Sequence, residues 1–157
     1  MPPSAYIETS ILSYLAARPS ANLVTAAHQH VTAEWWSRRR GEFAMYVSEL
    51  VVREIGAGDP VQAARRLALV EGIPLLVVSD DALSLALNIV AAGAIPPGSA
   101  ADALHIAIAA ANGMDFLVTW NCRHIANAEI RDQIDTACRG LNYRTPILCT
   151  PEELMGE

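Results

Sequence analysis

The chain has 157 residues, 52% apolar and 18% charged, with a formal net charge of −6; that length suits one domain, residues 1–157, with a core that needs neither disulfides nor a structural metal. The negative charge argues against broad, nonspecific binding of nucleic acid, which relies on many cationic contacts to phosphate, while leaving room for a local site. Cys122, Cys138 and Cys149 are widely spaced and form no CxxC pair, so they read as reduced thiols, and the absence of a leader pattern or a long apolar stretch predicts a cytoplasmic protein with no membrane partner.

Ser4-Ala5-Tyr6-Ile7 is a short apolar run, after which Ile11, Leu12, Tyr14 and Leu15 recur at helical spacing. The pattern is strand, turn, helix, with Thr9 or Ser10 as the cap and Glu8 at the carboxyl end of the strand. Ligand sites of open α/β sheets collect at such ends. From Asn22 to about Arg40 one long helix is predicted, with Leu23, Ala26, Ala27, Val31 and Trp35 on its buried side. It ends in Arg38-Arg39-Arg40, three of eleven basic residues, all of them arginine. Beside Trp35-Trp36 this run reads as a stacking and phosphate platform, or as half core and half surface.

Ala44 to Val47 is the second strand candidate, and Ser48 caps a helix carrying Glu49, Leu50, Val51, Arg53, Glu54 and Ile55. Asp59-Pro60 opens the next helix, which stops at Gly72. Leu75 to Val78 then reads as a buried strand, Ser79-Asp80-Asp81 starts a helix ending near Gly93, and Pro96-Pro97-Gly98 makes a rigid turn. The run from Ser99 to Asn112 is apolar nearly all round apart from Asp102 and His105. Asp115 to Thr119 is a fourth strand, His124 to about Gly140 a helix, and Pro146 to Cys149 a fifth strand before a capped turn at Thr150-Pro151-Glu152-Glu153. Five strands alternating with helices predict a three-layer α/β/α fold on a mostly parallel sheet.

Asp102 is the residue that most needs a partner, because a carboxylate on a buried helix is costly without one. Its spacing from Ser99 favours a capping box, with Ser99 as N-cap and Asp102 at N3. His105, one turn further along the same face, reads as a packed or hydrogen-bonded core histidine rather than a ligand. Glu8, Glu54 and Asp102 nonetheless occupy comparable places beside strand ends, with Asn121 following strand four. Two or three convergent carboxylates suffice for a hard divalent cation, because water and substrate phosphate complete its shell.

In Tyr6-Ile7-Glu8-Thr9-Ser10, Val47-Ser48-Glu49-Leu50-Val51-Val52-Arg53-Glu54-Ile55, Ala101-Asp102-Ala103-Leu104-His105-Ile106-Ala107 and Leu117-Val118-Thr119-Trp120-Asn121-Cys122-Arg123-His124, the chain resembles the PIN-domain ribonucleases, in particular the VapC-like toxins of toxin–antitoxin pairs. The likeness runs over nearly the whole length and lies in the order and placement of the motifs. It implies a PIN fold and an endoribonuclease in which Mg2+ or Mn2+, held by Glu8, Glu54 and Asp102, activates water against an RNA phosphodiester. It further implies that Thr9 or Ser10 orients Glu8 or a bound water. Asn121 completes the catalytic set, and Trp120, Arg123 and His124 lie where substrate would pass. An antitoxin protein and a second copy of the chain are the implied partners. Glu8 stands where the family usually has Asp, and His124 where many members carry a late acidic residue. These two departures sustain an alternative, a catalytically degenerate PIN-like module acting in RNA or protein binding. The choice of Glu54 over Glu49 rests on the resemblance alone.

Overall fold

The computed structural model describes residues 1–157 as an α/β protein in which seven helices flank a five-stranded parallel sheet, a three-layer arrangement. The strands are β1 (Ser4–Ile7), β2 (Ala44–Ser48), β3 (Leu75–Leu76), β4 (Phe116–Val118) and β5 (Ile147–Cys149), in the order β3-β2-β1-β4-β5. The helices are α1 (Thr9–Ala16), α2 (Leu23–Arg38), α3 (Glu49–Ile55), α4 (Pro60–Leu69), α5 (Asp80–Ala91), α6 (Ala100–Ala111) and α7 (Arg131–Gly140). Helix α1 packs against α2, α3 and α4, while α5 packs against α6 and α7.

Strand order decides where a site can form. From β1 the chain steps to β2 and β3 on one side, then crosses back to place β4 on the other side of β1. The register pairs Ile7 with Val118, so the next residues, Glu8 and Thr119, leave adjacent strands side by side. That is the switch point at the carboxyl edge of a parallel sheet, where helices diverge and leave a crevice.

Asn22 caps α2 by accepting from Thr25 N, and capping follows the sequence at Ser48, Asp59 and Ser79, whose side chains accept from Val51 N, Gln62 N and Ala82 N. At α1 it does not. The N-cap is Glu8, whose carboxylate accepts from Ser10 N, because the Thr9 and Ser10 hydroxyls are turned to carboxylates instead. The Ser99–Asp102 capping box is likewise not formed: a 3-10 turn over Pro97–Ser99 feeds directly into α6, and its Ala100 N–H is satisfied by Pro97 O.

Three further expectations are corrected. Strand β3 is two residues long, with Leu75 and Val77 exposed, because an edge strand pairs only with β2 and has no sheet beyond it to bury it. The inward side of α2 is Thr32 and Trp35, while Leu23 is 86% exposed. Residues 124–130 are turns rather than helix, because Asn121 and Asn127 side chains accept from His124 N and Glu129 N and compete with helical bonding. Helix α6 is the core element as expected, burying Ala103, Ile106, Ala107, Ile108 and Ala109 completely.

Candidate metal centre

Glu8 leaves β1 with only 6% of its surface exposed, and one oxygen carries its bonding. Oε1 accepts from Ser10 N at 3.1 Å, Ser10 Oγ at 2.5 Å and Thr119 Oγ1 at 2.6 Å, whereas Oε2 accepts nothing from the protein. Thr119 in turn accepts from Asn121 N at 2.9 Å, and Ser10 Oγ accepts from Trp120 N at 2.8 Å. The ends of β1 and β4 are thus laced together around one buried carboxylate. Three donors to one anionic oxygen are the compensation such burial requires.

Glu54 reaches the same place from α3. Its Oε1 accepts from Thr9 Oγ1 at 2.5 Å and lies 2.7 Å from His105 Nε2. Burial acts to raise its pKa, but the His105 hydrogen bond and charge, the Thr9 hydroxyl and Arg53 outweigh burial and hold the carboxyl below its ordinary value. His105 is 1% exposed. Its Nδ1 sits 2.7 Å from the Tyr6 hydroxyl, which is 2.8 Å from Ser48 Oγ. Burial first, then the nearby Glu8 and Glu54 charges, push the Tyr6 phenol far above its ordinary pKa against the opposing Ser48 bond, so Tyr6 keeps its proton.

Glu8, Glu54 and His105 each offer a ligand atom, all within 4.8 Å of one another, close enough to bind a metal ion. An ion with bonds of about 2.1 Å holds its ligand atoms at most about 4.2 Å apart, so side chains spread over as much as 4.8 Å would draw in by several tenths of an ångström to share it. The donor set, two carboxylates and an imidazole, suits a divalent cation.

Of the three carboxylates expected to converge, Asp102 is not in this group. Its Oδ2 lies 3.0 Å from His124 Nδ1, and on α6 it precedes His105 by three residues, which puts both on one face. The Asp102–His124 pair therefore flanks the Glu8–Glu54–His105 group. Asn121 contributes no carboxylate-like contact; its Oδ1 accepts from His124 N at 3.0 Å and fixes that turn. Arg123 is exposed, and Glu49 lies apart, accepting from Val78 N.

Trp120 stands beside the group on a rigid mount. Its Nε1 donates to Thr32 Oγ1 at 2.7 Å, and its ring stacks on His28 with centroids 4.0 Å apart and planes 12° apart; Tyr14 lies 6.3 Å from both. The arginine run is elsewhere. Phe43, which leads into β2, meets Phe116 at the start of β4, so Arg38, Arg39 and Arg40 lie at the amino edge of the sheet, opposite Glu8. Arg38 and Arg39 pair with Glu34 and Glu42, Arg40 stacks on Trp36 at 4.5 Å, and Trp35 is fully buried. The largest groove, about 490 Å³ and lined by Leu50, Arg53, Leu83, Leu87 and Leu104, contains none of the three candidate ligands.

The sequence favours His105 as a packed core histidine over a ligand, and does not single out Tyr6 and Ser48 as the chain that holds its ring or Thr119 as a donor to Glu8. Each carried a signal: a polar group inside an apolar run, at a position the period turns inward. No helix is long and apolar enough to cross a membrane. No family model and no curated protein matches the chain.

Proposed function

We propose that the protein is a divalent-metal-dependent endoribonuclease of the PIN type, acting as the toxin of a toxin–antitoxin pair, with Mg2+ or Mn2+ at the Glu8–Glu54–His105 group. The observation that carries this reading is the convergence of those three side chains within 4.8 Å at the β1–β4 switch point. The metal supplies positive charge for phosphate oxygens and lowers the pKa of water.

The chain's own residues supply the rest. Ser10 and Thr119 fix Glu8, and Thr9 fixes Glu54, so both carboxylates are held before substrate arrives. His124, steadied by Asp102 and Asn121, keeps Nε2 free of protein partners for a phosphate oxygen. Arg123 offers its forked donors to a neighbouring phosphate, and Trp120, whose main-chain N–H donates to Ser10 Oγ, offers a nucleobase the ring face that His28 does not cover. The antitoxin, the homodimer and the cytoplasmic location are part of the same reading and rest on the sequence resemblance.

A labelled single-stranded RNA incubated with the protein in Mn2+ or Mg2+ tests the proposal. Cleavage that EDTA and Glu54→Gln both abolish is the expected result; RNA left intact with either ion overturns it. One observation favours a second reading, a PIN-like module that binds RNA or protein without cutting. Glu8 Oε1, Glu54 Oε1 and both His105 nitrogens already have protein partners, a network that is satisfied without an ion. Binding of RNA without cleavage in either metal selects that module.

A further inference from the structure

We propose that His105 is itself a ligand of the ion, that the Tyr6 and Ser48 hydroxyls hold its ring in that role, and that the site accordingly prefers transition metals such as Mn2+, Co2+ or Zn2+ over Mg2+. The inference rests on the metal-centre part of the ribonuclease reading and is independent of the substrate being RNA.

The argument is a proton count along one buried chain. Ser48 Oγ, Tyr6 Oη and His105 Nδ1 are linked at 2.8 and 2.7 Å, and Nε2 continues to Glu54 at 2.7 Å. With a neutral ring there are three protons to place: one on each hydroxyl and one on the imidazole. In one arrangement Ser48 donates to Tyr6, Tyr6 donates to Nδ1, and Nε2–H donates to the Glu54 carboxylate. In the other the ring proton sits on Nδ1 and is donated to Tyr6, Tyr6 donates to Ser48, and the Nε2 lone pair is bare. Ser48 Oγ then accepts from Tyr6 and from Val51 N at 3.1 Å, using both lone pairs of the hydroxyl.

The two arrangements differ by a ring tautomer and two hydroxyl rotations, with no change in charge. Without an ion, Nε2–H faces the Glu54 carboxylate, as it does also when the ring carries both protons and the charge that lowers the Glu54 pKa. Were a cation held by Glu8, Glu54 and His105, Nε2 would have to present its lone pair to it, which the second arrangement provides. Metal-bound imidazoles commonly donate their second N–H to a fixed acceptor, and Tyr6 is such an acceptor, itself anchored by Ser48. A hard cation that keeps its water gains little from this nitrogen, whereas the transition metals bind imidazole well.

The test uses the intact protein. Long-range proton–nitrogen spectra of His105 are expected to show Nε2 protonated without metal and Nδ1 protonated with Zn2+, a diamagnetic probe. Calorimetry is expected to give Mn2+ at least about tenfold tighter binding than Mg2+, and Tyr6→Phe is expected to weaken Mn2+ by about 10- to 100-fold. The wild-type spectra decide the matter even if that variant fails to fold. An unchanged tautomer with equal Mn2+ and Mg2+ affinity overturns the inference and leaves the ribonuclease reading standing if RNA is cut. Absence of binding by any of these ions overturns both. A tautomer that switches while RNA stays intact supports the inference and removes only the ribonuclease reading.

Discussion

Replacing Glu8 with Gln separates a metal ligand from a helix cap. The carboxylate accepts three hydrogen bonds on Oε1, and the amide oxygen of Gln can accept the same three. A bond to a charged acceptor exceeds a neutral one by about 1 kcal/mol, so the substitution costs about 3 kcal/mol in hydrogen bonding. Against this stands the repulsion between Glu8 and Glu54, whose ligand oxygens lie within 4.8 Å. At an effective dielectric of about 20, two unit charges at that distance repel by about 3 kcal/mol, with some reduction because Glu54 is partly solvated. The two effects offset, and metal-free Glu8→Gln is expected to match wild-type stability within about 1 kcal/mol. Urea denaturation in EDTA, read as a midpoint shift at constant slope, measures this. Saturating Mn2+ at about 100 times its Kd is expected to stabilise the wild type by about 2.7 kcal/mol and the variant by far less. A metal-free loss above about 3 kcal/mol refutes the repulsion and makes Glu8 a structural cap. Equal stabilisation of both proteins by Mn2+ removes Glu8 from the centre.

The folded-state pKa of Glu54 lies below its unfolded value, so its contribution to stability is fully present above the ordinary carboxylate pKa and is lost as pH falls through the lowered one. Urea midpoints between pH 6 and pH 3 are therefore expected to fall less steeply in Glu54→Gln than in wild type; identical slopes contradict the assignment. Trp120→Ala is expected to weaken single-stranded RNA by about 1–3 kcal/mol while leaving metal affinity unchanged, and an RNA with abasic sites is expected not to distinguish the two proteins in fluorescence anisotropy. Burial pushes the Cys149 thiol up to about 12 and raises Cys138 as well, while Cys122 is exposed though also raised. A disulfide reagent is thus expected to modify one thiol in the native protein, slowly, and three after denaturation; fast modification of more than one contradicts the buried placement.

Local chemistry made much of the fold legible. Strand β1 spans Ser4–Ile7 as its apolar run predicts, and Ser48, Asp59 and Ser79 cap the helices they precede. What was not legible depended on neighbours distant in sequence. The edge position of β3 leaves Leu75 and Val77 in solvent although the run reads as buried, since apolar character does not say how many strands flank it. The period of α2 assigns Leu23 inward, yet the helix turns Thr32 toward Trp120, because an indole N–H in a partly buried site needs an acceptor.

The site divides along the same line. Glu8 and Glu54 are found together as the motif order implies, whereas the third member of their group is His105 rather than Asp102. Spacing alone could not decide between them, because positions 102 and 105 share one face of α6 and either can reach a crevice at its edge. The cost of burial decides. Asp102 keeps about a quarter of its side chain in solvent and pairs with His124, whereas His105 is almost wholly enclosed. An enclosed imidazole needs a partner for each nitrogen, and only Tyr6 and Glu54 are within reach. The rule that makes a lone carboxylate on an apolar helix conspicuous therefore applies with greater force to the lone histidine one turn below it. That histidine must find its partners at the ends of β1 and β2, and those are the strand ends from which Glu8 and the Glu54 helix depart.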